Sequence, residues 1–377
     1  MIEKDYINNR IVKKFIEWIG LRITGNFCHN YFDFDRKKEW ACSSIFNAYE
    51  QYYWPISPKW FNKLKLEDFS FNSNKKLLDS FSDQIKMAYY SKNNDELYNV
   101  SKEILSWGGV LGSKKRGNLA YLDINRADLY HFYKTVEDKI ANNADTDNDF
   151  QGIRMNAGFT KVYSLLFNNF IIYDGRVGAA LGYLVRIFLE DKDIYEVPEM
   201  LKFYWGKARG KQLRNPSKGI YKFPALTNKS VPHIQCNIRA NWLLKAIIQR
   251  FSFGDQTLER GALRTMEAAL FMIGYDLNTD ISEYKKISVT AKPYRKKENI
   301  MTTRTRLKTL SPGKNRDFEY SGSLTDAIRI YAGSTKAPSL IRKENCKKIV
   351  ERYSDTGFTV IVGTSLTSPT PGSMGEG

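Results

Sequence analysis

The sequence predicts a mainly α-helical core followed by a small α/β module. Apolar residues recur at steps of three and four along most of residues 1–282, which is the spacing of amphipathic helices. Strand-like runs are few in that part, and the composition becomes strongly basic after residue 282. A chain of 377 residues is long enough for two or three domains.

Helical spacing marks a series of segments within residues 1–282. Gly108–Gly109 ends one of them and Pro55 with Pro58 ends another, because glycine and proline interrupt helices. Short pieces such as Ile171–Tyr173 are the few strand signals in this part. The predicted helices are Ile11–Ile23, Trp40–Trp54, Lys75–Ser91, Glu96–Trp107, Arg126–Ala141, Val177–Leu189, Pro198–Ala208, Ile234–Phe251 and Leu258–Ile273.

The segment after Asp174 has the clearest helical pattern. Gly178 and Gly182 lie within it and leave room for another backbone to approach closely. We therefore expect a buried helix whose amino-terminal end carries Asp174. Its apolar face comprises Val177, Ala180, Leu181, Leu184, Val185 and Phe188.

Residues 283–316 are predicted to form a basic linker or extended arm. Between residues 284 and 316, eleven Lys or Arg residues accompany a single acidic residue, Glu298. A small α/β module is predicted at 317–365, and a disordered tail rich in Thr, Ser, Pro and Gly at 366–377. The elements expected in the module are helices Leu324–Tyr331 and Leu340–Tyr353 and a strand Phe358–Gly363.

The charge of the chain predicts a polyanionic partner. Lys and Arg number 58 against 41 Asp and Glu, which gives a formal net charge of +17. Phosphates attract distributed cations and release counterions on binding, so we expect nucleic acid as the partner, with simple solubility as the alternative. Aromatic residues make up 14% of the chain, which indicates a folded protein rather than a disordered basic tail.

Cysteine and histidine are too sparse to predict a metal site. The four cysteines and three histidines are scattered, and no Cys-x-x-Cys pair occurs. We therefore predict no metal and no cofactor. The sequence shows no signal-peptide pattern and no membrane-length apolar run, and its few thiols fit a reducing compartment. We accordingly expect a cytoplasmic protein without a membrane partner.

The stretch 158–177 carries the residues best suited to chemistry. Gly158 precedes Lys161, an apolar run follows, and Asp174 stands where the next helix begins. Lys161 and Asp174 are therefore a candidate amine and a candidate carboxylate at two helix starts that can face one pocket. The plainer interpretation makes Asp174 an ordinary N-cap and Lys161 a surface lysine that contacts phosphate.

Residues Met155–Lys161 and Tyr173–Val177 resemble the hairpin and the following helix start of the helix–hairpin–helix DNA glycosylase superfamily. The resemblance implies a two-lobed helical core at 1–282, with its hairpin and catalytic region at 150–190. It also implies that Lys161 holds the place of the nucleophile of the bifunctional branch and that Asp174 matches the essential aspartate. The single hairpin glycine and the thirteen-residue step from Lys161 to Asp174 depart from the family pattern, so the chain would be a divergent member.

The chemistry of base excision agrees with these residue types. Cleavage of an N-glycosidic bond builds positive charge on the sugar, and a fixed carboxylate such as Asp174 stabilises that charge. A lysine amine such as Lys161 can attack the anomeric carbon and form a Schiff base. The target base must first be flipped out of the duplex into a pocket.

Predicted DNA contacts fall in four places. They are the hairpin, a basic loop after the helix that ends at Trp107, the residue two positions after Asp174, and a basic and aromatic segment at 202–223. The residues are Gly158, Phe159, Thr160, Lys114, Lys115, Arg116, Arg176, Lys207, Arg209 and Lys211.

The resemblance and the charge together predict a monomeric DNA glycosylase. It would excise a damaged or modified base from double-stranded DNA, in repair or in defence against modified foreign DNA. The identity of the base and the presence of a lysine-dependent lyase step stay open. The alternative is a non-catalytic DNA-binding or sensing protein on the same scaffold. A metal-dependent nuclease is the third reading, but the sequence offers it no convincing carboxylate pair.

Overall fold

The computed structural model describes residues 1–141, 150–208, 210–251 and 259–279, together with strands at 305–308, 317–320, 350–353 and 357–360. The chain divides into two units, Met1–Ala291 and Lys292–Gly377, and each is described by itself. The first unit therefore ends within the predicted basic arm, 283–316.

The first unit is mainly helical, and its described residues include one small antiparallel sheet. In this sheet Tyr31 lies opposite Trp40. Two short 3-10 turns, Arg126–Asp128 and Glu199–Leu201, accompany the helices. The elements are α1 (Glu3–Asn8), α2 (Arg10–Gly20), β1 (His29–Asp33), β2 (Lys38–Cys42), α3 (Ile45–Glu50), α4 (Pro58–Lys63), α5 (Phe71–Tyr90), α6 (Asn94–Trp107), α7 (Asn118–Asn125), α8 (Leu129–Ala141), α9 (Phe159–Leu166), α10 (Gly175–Asp191), α11 (Ser230–Phe251) and α12 (Glu259–Ile273).

A continuous apolar core surrounds helices α9 to α12. Helix α10 packs against α12 and α2, whereas α9 packs against α5 and α6. Every residue of α9 is buried, and so are most residues of α10. The packing of these two helices therefore fixes the positions of their amino-terminal ends. No helix in the described part of the chain is both long enough and apolar enough to cross a membrane.

Most of the predicted core helices are confirmed. The close approach predicted at Gly178 is confirmed as well, because the backbone of Tyr204 occupies the space where a Cβ atom would lie. Helix α6 ends immediately before Gly108, as predicted. The confirmed helices are Ile11–Ile23, Lys75–Ser91, Glu96–Trp107, Arg126–Ala141, Val177–Leu189, Ile234–Phe251 and Leu258–Ile273, which correspond to α2, α5, α6, α8, α10, α11 and α12.

The helix predicted at Trp40–Trp54 is wrong over most of its length. Trp40 belongs to β2, where its ring stacks on that of Tyr31 at a centroid distance of 4.5 Å. Helix α3 covers only Ile45–Glu50, and the Ser44 side chain caps it. Cross-strand aromatic packing therefore outweighs the helical spacing of this segment.

The helix predicted at Pro198–Ala208 is wrong beyond the short turn Glu199–Leu201. Trp205 instead forms a bridge with Ala225, so the chain runs beside another segment rather than bonding to itself. This path brings Gly206 against the start of α10, where its amide donates to the Gly175 carbonyl at 3.2 Å.

The second unit is described at four strands in two antiparallel pairs. The predicted strand Phe358–Gly363 overlaps the last of them, whereas the helix predicted at Leu340–Tyr353 is wrong for its final four residues, which form a strand. The predicted helix Leu324–Tyr331 and the tail 366–377 lie outside the described residues. The strands are β3 (Thr305–Lys308), β4 (Asp317–Tyr320), β5 (Val350–Tyr353) and β6 (Gly357–Val360), and β3 also lies beside β6.

Candidate active site

Lys161 lies in the first turn of α9, and only 5% of the residue is exposed. The amides of Gly158 and Phe159, at the start of this helix, donate to Oδ1 of Asn156 at 2.8 and 3.0 Å. The Lys161 amine Nζ donates to the Ala157 carbonyl at 2.9 Å. The amine is therefore held by the turn that begins its own helix.

Asp174 is the N-cap residue of α10. One carboxylate oxygen, Oδ1, accepts hydrogen bonds from the amides of Arg176 and Val177 at 2.9 and 3.2 Å. The other oxygen, Oδ2, lies 3.3 Å from Nζ of Lys161. The Asp174 side chain therefore caps α10 and forms an ion pair with Lys161 at the same time.

The Asp174 carboxylate is held in its charged form. Burial by itself raises the pKa of this carboxyl. The positive charges of Lys161, Arg176 and Arg214, together with the Val177 amide, outweigh burial, so the pKa of Asp174 lies below its ordinary value. Asp174 is therefore an anion at neutral pH.

Lys161 and Asp174 both line a pocket of about 680 Å³. Pockets that bind small organic molecules typically measure about 300–1,000 Å³, so this one has room for a nucleobase with its sugar. Its walls are rich in aromatic side chains, which offer flat surfaces to a planar ligand. The aromatic residues are Tyr52, Trp54, Phe71, Trp107 and Phe271.

A second buried acid, Glu267 of α12, lines the same pocket. Nη1 of Arg264 donates to both of its carboxylate oxygens at 2.8 and 2.7 Å, and the Ile172 amide donates to Oε2 at 2.7 Å. Burial raises the pKa of Glu267, and the charge of Arg264 and the Ile172 amide reduce that rise without cancelling it. Sequence reasoning missed this residue, which lies 95 positions from its amide partner.

A polar stripe along α11 binds the segment that precedes α10. The stripe consists of His233, Asn237 and Asn241, which recur every four residues and so share one helix face. Oδ1 of Asn241 accepts from the Ile171 amide at 2.8 Å, and Nδ2 of Asn237 donates to the Ile171 carbonyl at 3.3 Å. Nε2 of His233 lies 2.6 Å from the Tyr173 carbonyl oxygen. The signal available in the sequence was the recurrence of these polar residues at every fourth position of the helix.

Thr160 of α9 completes the network around Ile171–Tyr173. Its hydroxyl Oγ1 accepts from the Tyr173 amide at 2.8 Å and donates to the Ile171 carbonyl at 3.3 Å. Since Glu267 accepts from the Ile172 amide, every amide of the segment donates to a side chain. The predicted strand at Ile171–Tyr173 is therefore an irregular segment clamped by side chains, and the strand assignment is wrong.

His233 is neutral at physiological pH. Burial lowers the pKa of its imidazole to about 4, although the Tyr173 carbonyl and the charge of Asp174 act in the opposite direction. A neutral ring can donate one N–H to the Tyr173 carbonyl. Among the described residues, no group of three or more His, Cys, Asp or Glu side chains is placed to hold a metal ion.

Two arginines face the pocket from different segments. The guanidinium carbon of Arg176 lies 4.3 Å from the ring centre of Phe271, 4.7 Å from that of Tyr275 and 5.3 Å from that of Trp54. Nε of Arg214 donates to the Tyr275 carbonyl at 3.2 Å. Burial, and then the neighbouring charge of Arg176, lower the pKa of Arg214 to about 10. Sequence reasoning singled out Arg176 and missed Arg214.

The hairpin residues predicted to contact DNA are buried in the structure. The side chains of Phe159 and Thr160 are fully buried, and contact between the hairpin and DNA stays a prediction. Phe159 packs in the core and Thr160 belongs to the network around Ile171–Tyr173. Gly158 has helical dihedral angles and lies against the side chain of Asn118, which fills the space of a Cβ atom.

The predicted basic contacts lie at the surface. Lys114, Lys115 and Arg116 are exposed on a tight turn. Lys207 and Lys211 are exposed as well, and Lys207 lines the pocket. Arg209 lies outside the described residues. Contact between these residues and DNA stays a prediction.

Comparison of the chain with models of protein families, with curated proteins and with solved structures finds no match. The likeness to helix–hairpin–helix glycosylases therefore stays a prediction that depends on the residues around Lys161 and Asp174.

Proposed function

We propose that the protein is a DNA glycosylase that takes a flipped, damaged or modified nucleotide into this pocket and cleaves its N-glycosidic bond. The observation that carries the proposal is the buried pair of Lys161 Nζ and Asp174 Oδ2, 3.3 Å apart, on the wall of a pocket of about 680 Å³. The net charge of +17 supports DNA as the substrate, since phosphates reward distributed cations.

Asp174 stabilises the positive charge that develops on the deoxyribose as the base departs. The electrons of the bond between C1′ and the base nitrogen leave with the base, which takes up a proton. Two amides fix the carboxylate before the reaction begins, so little reorganisation is needed in the transition state. The lowered pKa of Asp174 keeps the carboxylate in the charged state that this role requires.

Lys161 is the candidate nucleophile in a bifunctional reaction. The amine loses a proton, for which Asp174 is the nearest carboxylate, and forms a bond to C1′ as the base leaves. Opening of the sugar ring then gives a protonated Schiff base. In a monofunctional reaction water attacks C1′ instead, and Lys161 orients that water or a phosphate.

The aromatic walls support the capture of a flipped base. Stacking of a base on an aromatic side chain contributes about 1–3 kcal/mol, which is comparable to the few kcal/mol that flipping costs. Within this wall the ring of Trp54 packs edge-to-face against those of Phe271 and Trp107, at centroid distances of 5.4 and 6.3 Å. A planar ligand that packed against these rings would lie in the same pocket as the amine and the carboxylate.

The proposal is tested by incubating the protein with duplexes that each carry one modified base. Free base and alkali-labile sites are measured, and borohydride is added to trap a Schiff base. We expect base release from at least one duplex. If the reaction is bifunctional, we expect a trapped adduct that disappears in Lys161→Gln. A broad panel that yields neither free base nor alkali-labile sites contradicts the proposal.

The buried ion pair also favours a second candidate, a non-catalytic DNA-binding protein. A lysine and an aspartate that cap and connect two helices serve a structural purpose without chemistry, because each neutralises the other in the core. This candidate predicts that the protein binds distorted DNA and never generates abasic sites. It also predicts equal affinity for distorted DNA in the wild type and in Asp174→Asn.

A further inference from the structure

The pocket carries more positive than negative charge. Six basic and three acidic side chains line it. Lys161 is paired with Asp174, and Arg264 with Glu267. Arg176 and Arg214 have no carboxylate of a described residue within ion-pair distance.

Both arginines are fixed at one residue, Tyr275. Its ring lies 4.7 Å from the guanidinium carbon of Arg176, and its carbonyl accepts a hydrogen bond from Nε of Arg214 at 3.2 Å. Within the described part of the chain, Nη1 and Nη2 of Arg214 and all three nitrogens of the Arg176 guanidinium make no hydrogen bond. Two anchored guanidinium groups thus keep donors available to a ligand in the pocket.

The arrangement is electrostatically unfavourable until an anion arrives. Two like charges in a partly buried site repel each other more strongly than they do in water. Burial and then repulsion from Arg176 lower the pKa of Arg214. The charges of Asp174 and Asp276 act in the opposite direction without cancelling this effect.

We propose that Arg176 and Arg214 form a binding site for an oxyanion. A guanidinium group presents planar N–H donors that match the oxygens of a phosphate, and two of them can hold one phosphate from two sides. The existence of this oxyanion site does not depend on the proposed function. The identity of the molecule that supplies the oxyanion does rest on that function. In a glycosylase the oxyanion is either a phosphodiester next to the flipped nucleotide or an acidic substituent on the base.

Inorganic phosphate is the probe for the site. Binding is measured by calorimetry at constant ionic strength for the wild type, Arg176→Gln, Arg214→Gln and the control Arg10→Gln. Arg10 is exposed at the start of α2, so this control removes the same charge elsewhere. We expect saturable binding in the wild type and the control, weakened by about tenfold or more in the two pocket variants.

Equal phosphate affinity in all four proteins, or no saturable binding to the wild type, overturns the site. Arg176 is less buried than the core around it, so Arg176→Gln keeps the test valid if Arg214→Gln fails to fold. Circular dichroism establishes that each variant is folded. Since the measurement involves no DNA cleavage, a protein without glycosylase activity can still pass it.

DNA with single neutral methylphosphonate linkages identifies the source of the oxyanion. If a phosphodiester binds, one neutral linkage near the target weakens binding to the wild type and has no further effect in Arg176→Gln. If the base carries the anion, neutral linkages have no effect, and an acidic base strengthens binding to the wild type but not to Arg176→Gln. If neither a neutral linkage nor an acidic base changes the affinity of the wild type for DNA, the protein does not use this site to bind DNA.

Discussion

The two oxygens of the Asp174 carboxylate make different contacts, and the candidate site depends on that division. Oδ1 closes the amino-terminal end of α10, while Oδ2 meets the amine of Lys161. A carboxylate that only capped a helix would not need a buried cation beside it. A carboxylate that only balanced Lys161 would not have its orientation fixed by two amides.

Gly108 sets the position of the Lys161 side chain. A Cβ atom at Gly108 would lie 2.5 Å from Cδ and 2.8 Å from Cε of Lys161. Gly108→Ala should therefore displace the amine from Asp174 and slow base release by roughly tenfold or more, because small misplacements of reacting groups are costly. Single-turnover assays check this. The control is Gly25→Ala, where nothing lies within 4 Å of the added atom. Equal rates of base release in the two variants would argue against a role for Lys161.

The residues that could be predicted from the sequence are those with local signals. Lys161 follows a turn glycine, and Asp174 precedes an apolar helix. Both helix starts could therefore be predicted from one short stretch of sequence. Glu267 and Arg214 could not be predicted in this way. Each reaches the site only when distant segments pack together, and neither carries a local pattern that distinguishes it from a surface residue.

At the scale of elements, four helices converge on the segment Ile171–Tyr173. Helix α9 supplies Thr160, α11 supplies the polar stripe and α12 supplies Glu267, while α10 begins directly after the segment. Four amphipathic helices alone would leave the amides of this buried segment without partners. Buried amides without partners are costly, so the side chains of the network are needed to keep Asp174 in place.

Asn237 tests the positioning role of the polar stripe. Asn237→Ala removes the hydrogen bonds to the Thr160 hydroxyl and the Ile171 carbonyl, at 2.7 and 3.3 Å. We expect a loss of about 1–3 kcal/mol in the free energy of unfolding, together with slower base release at saturating DNA and unchanged DNA affinity. Denaturation and single-turnover kinetics measure the two effects. The exposed Asn99→Ala on α6 is the control, and a loss of stability with a normal rate would leave the stripe a purely structural role.

The elements were predicted well wherever apolar spacing extends over several turns, as in α5, α6 and α10. The prediction failed at Trp40, where an aromatic pair across two strands is stronger than a short helical pattern. It failed again at Pro198–Ala208, whose aromatic residues pack on neighbouring segments in an extended path. Both failures involve contacts between distant residues, which periodicity along the chain does not report.

At the scale of the whole molecule, the excess of basic residues predicts binding to DNA that weakens steeply with salt. Lys114, Lys115 and Arg116 form the most compact exposed basic group of the predicted contacts. Replacing all three with Gln should reduce the slope of log affinity against log salt by up to about 2.7, since each phosphate contact contributes about 0.9. Fluorescence anisotropy at several salt concentrations measures the slope.

The matched control replaces Arg10, Lys13 and Lys14 with Gln. These residues are exposed on α2, and their replacement removes the same total charge as the loop variant does. If the control reduces the slope as much as the loop variant does, the loop makes no specific contact with DNA.

Two buried histidines make the whole molecule sensitive to acid. Burial lowers the pKa of both His29 and His233 from 6.5 to about 4, so between these values the unfolded chain binds protons that the folded chain does not. The free energy of unfolding should therefore fall as the pH drops from 6.5 towards 4, by up to about 1.4 kcal/mol per pH unit for each histidine. The raised pKa of Glu267 acts in the opposite direction, because its carboxyl binds a proton in the folded chain at pH values above its ordinary pKa.

Urea denaturation at pH 7 and at pH 5 measures this dependence. We expect the protein to be less stable at pH 5 and its midpoint to lie at a lower urea concentration. Equal stability at the two pH values would contradict the expected net loss of stability in acid.

The rate of base release by Asp174→Asn tests the central claim most directly. Asparagine keeps the capping oxygen, so α10 and DNA binding should be preserved, while the charge that stabilises the sugar cation is lost. On a duplex that the wild type cleaves, we predict a single-turnover rate lower by about 100-fold or more. The exposed Asp83→Asn on α5 should retain the wild-type rate. Release of base by Asp174→Asn at the wild-type rate would contradict the account.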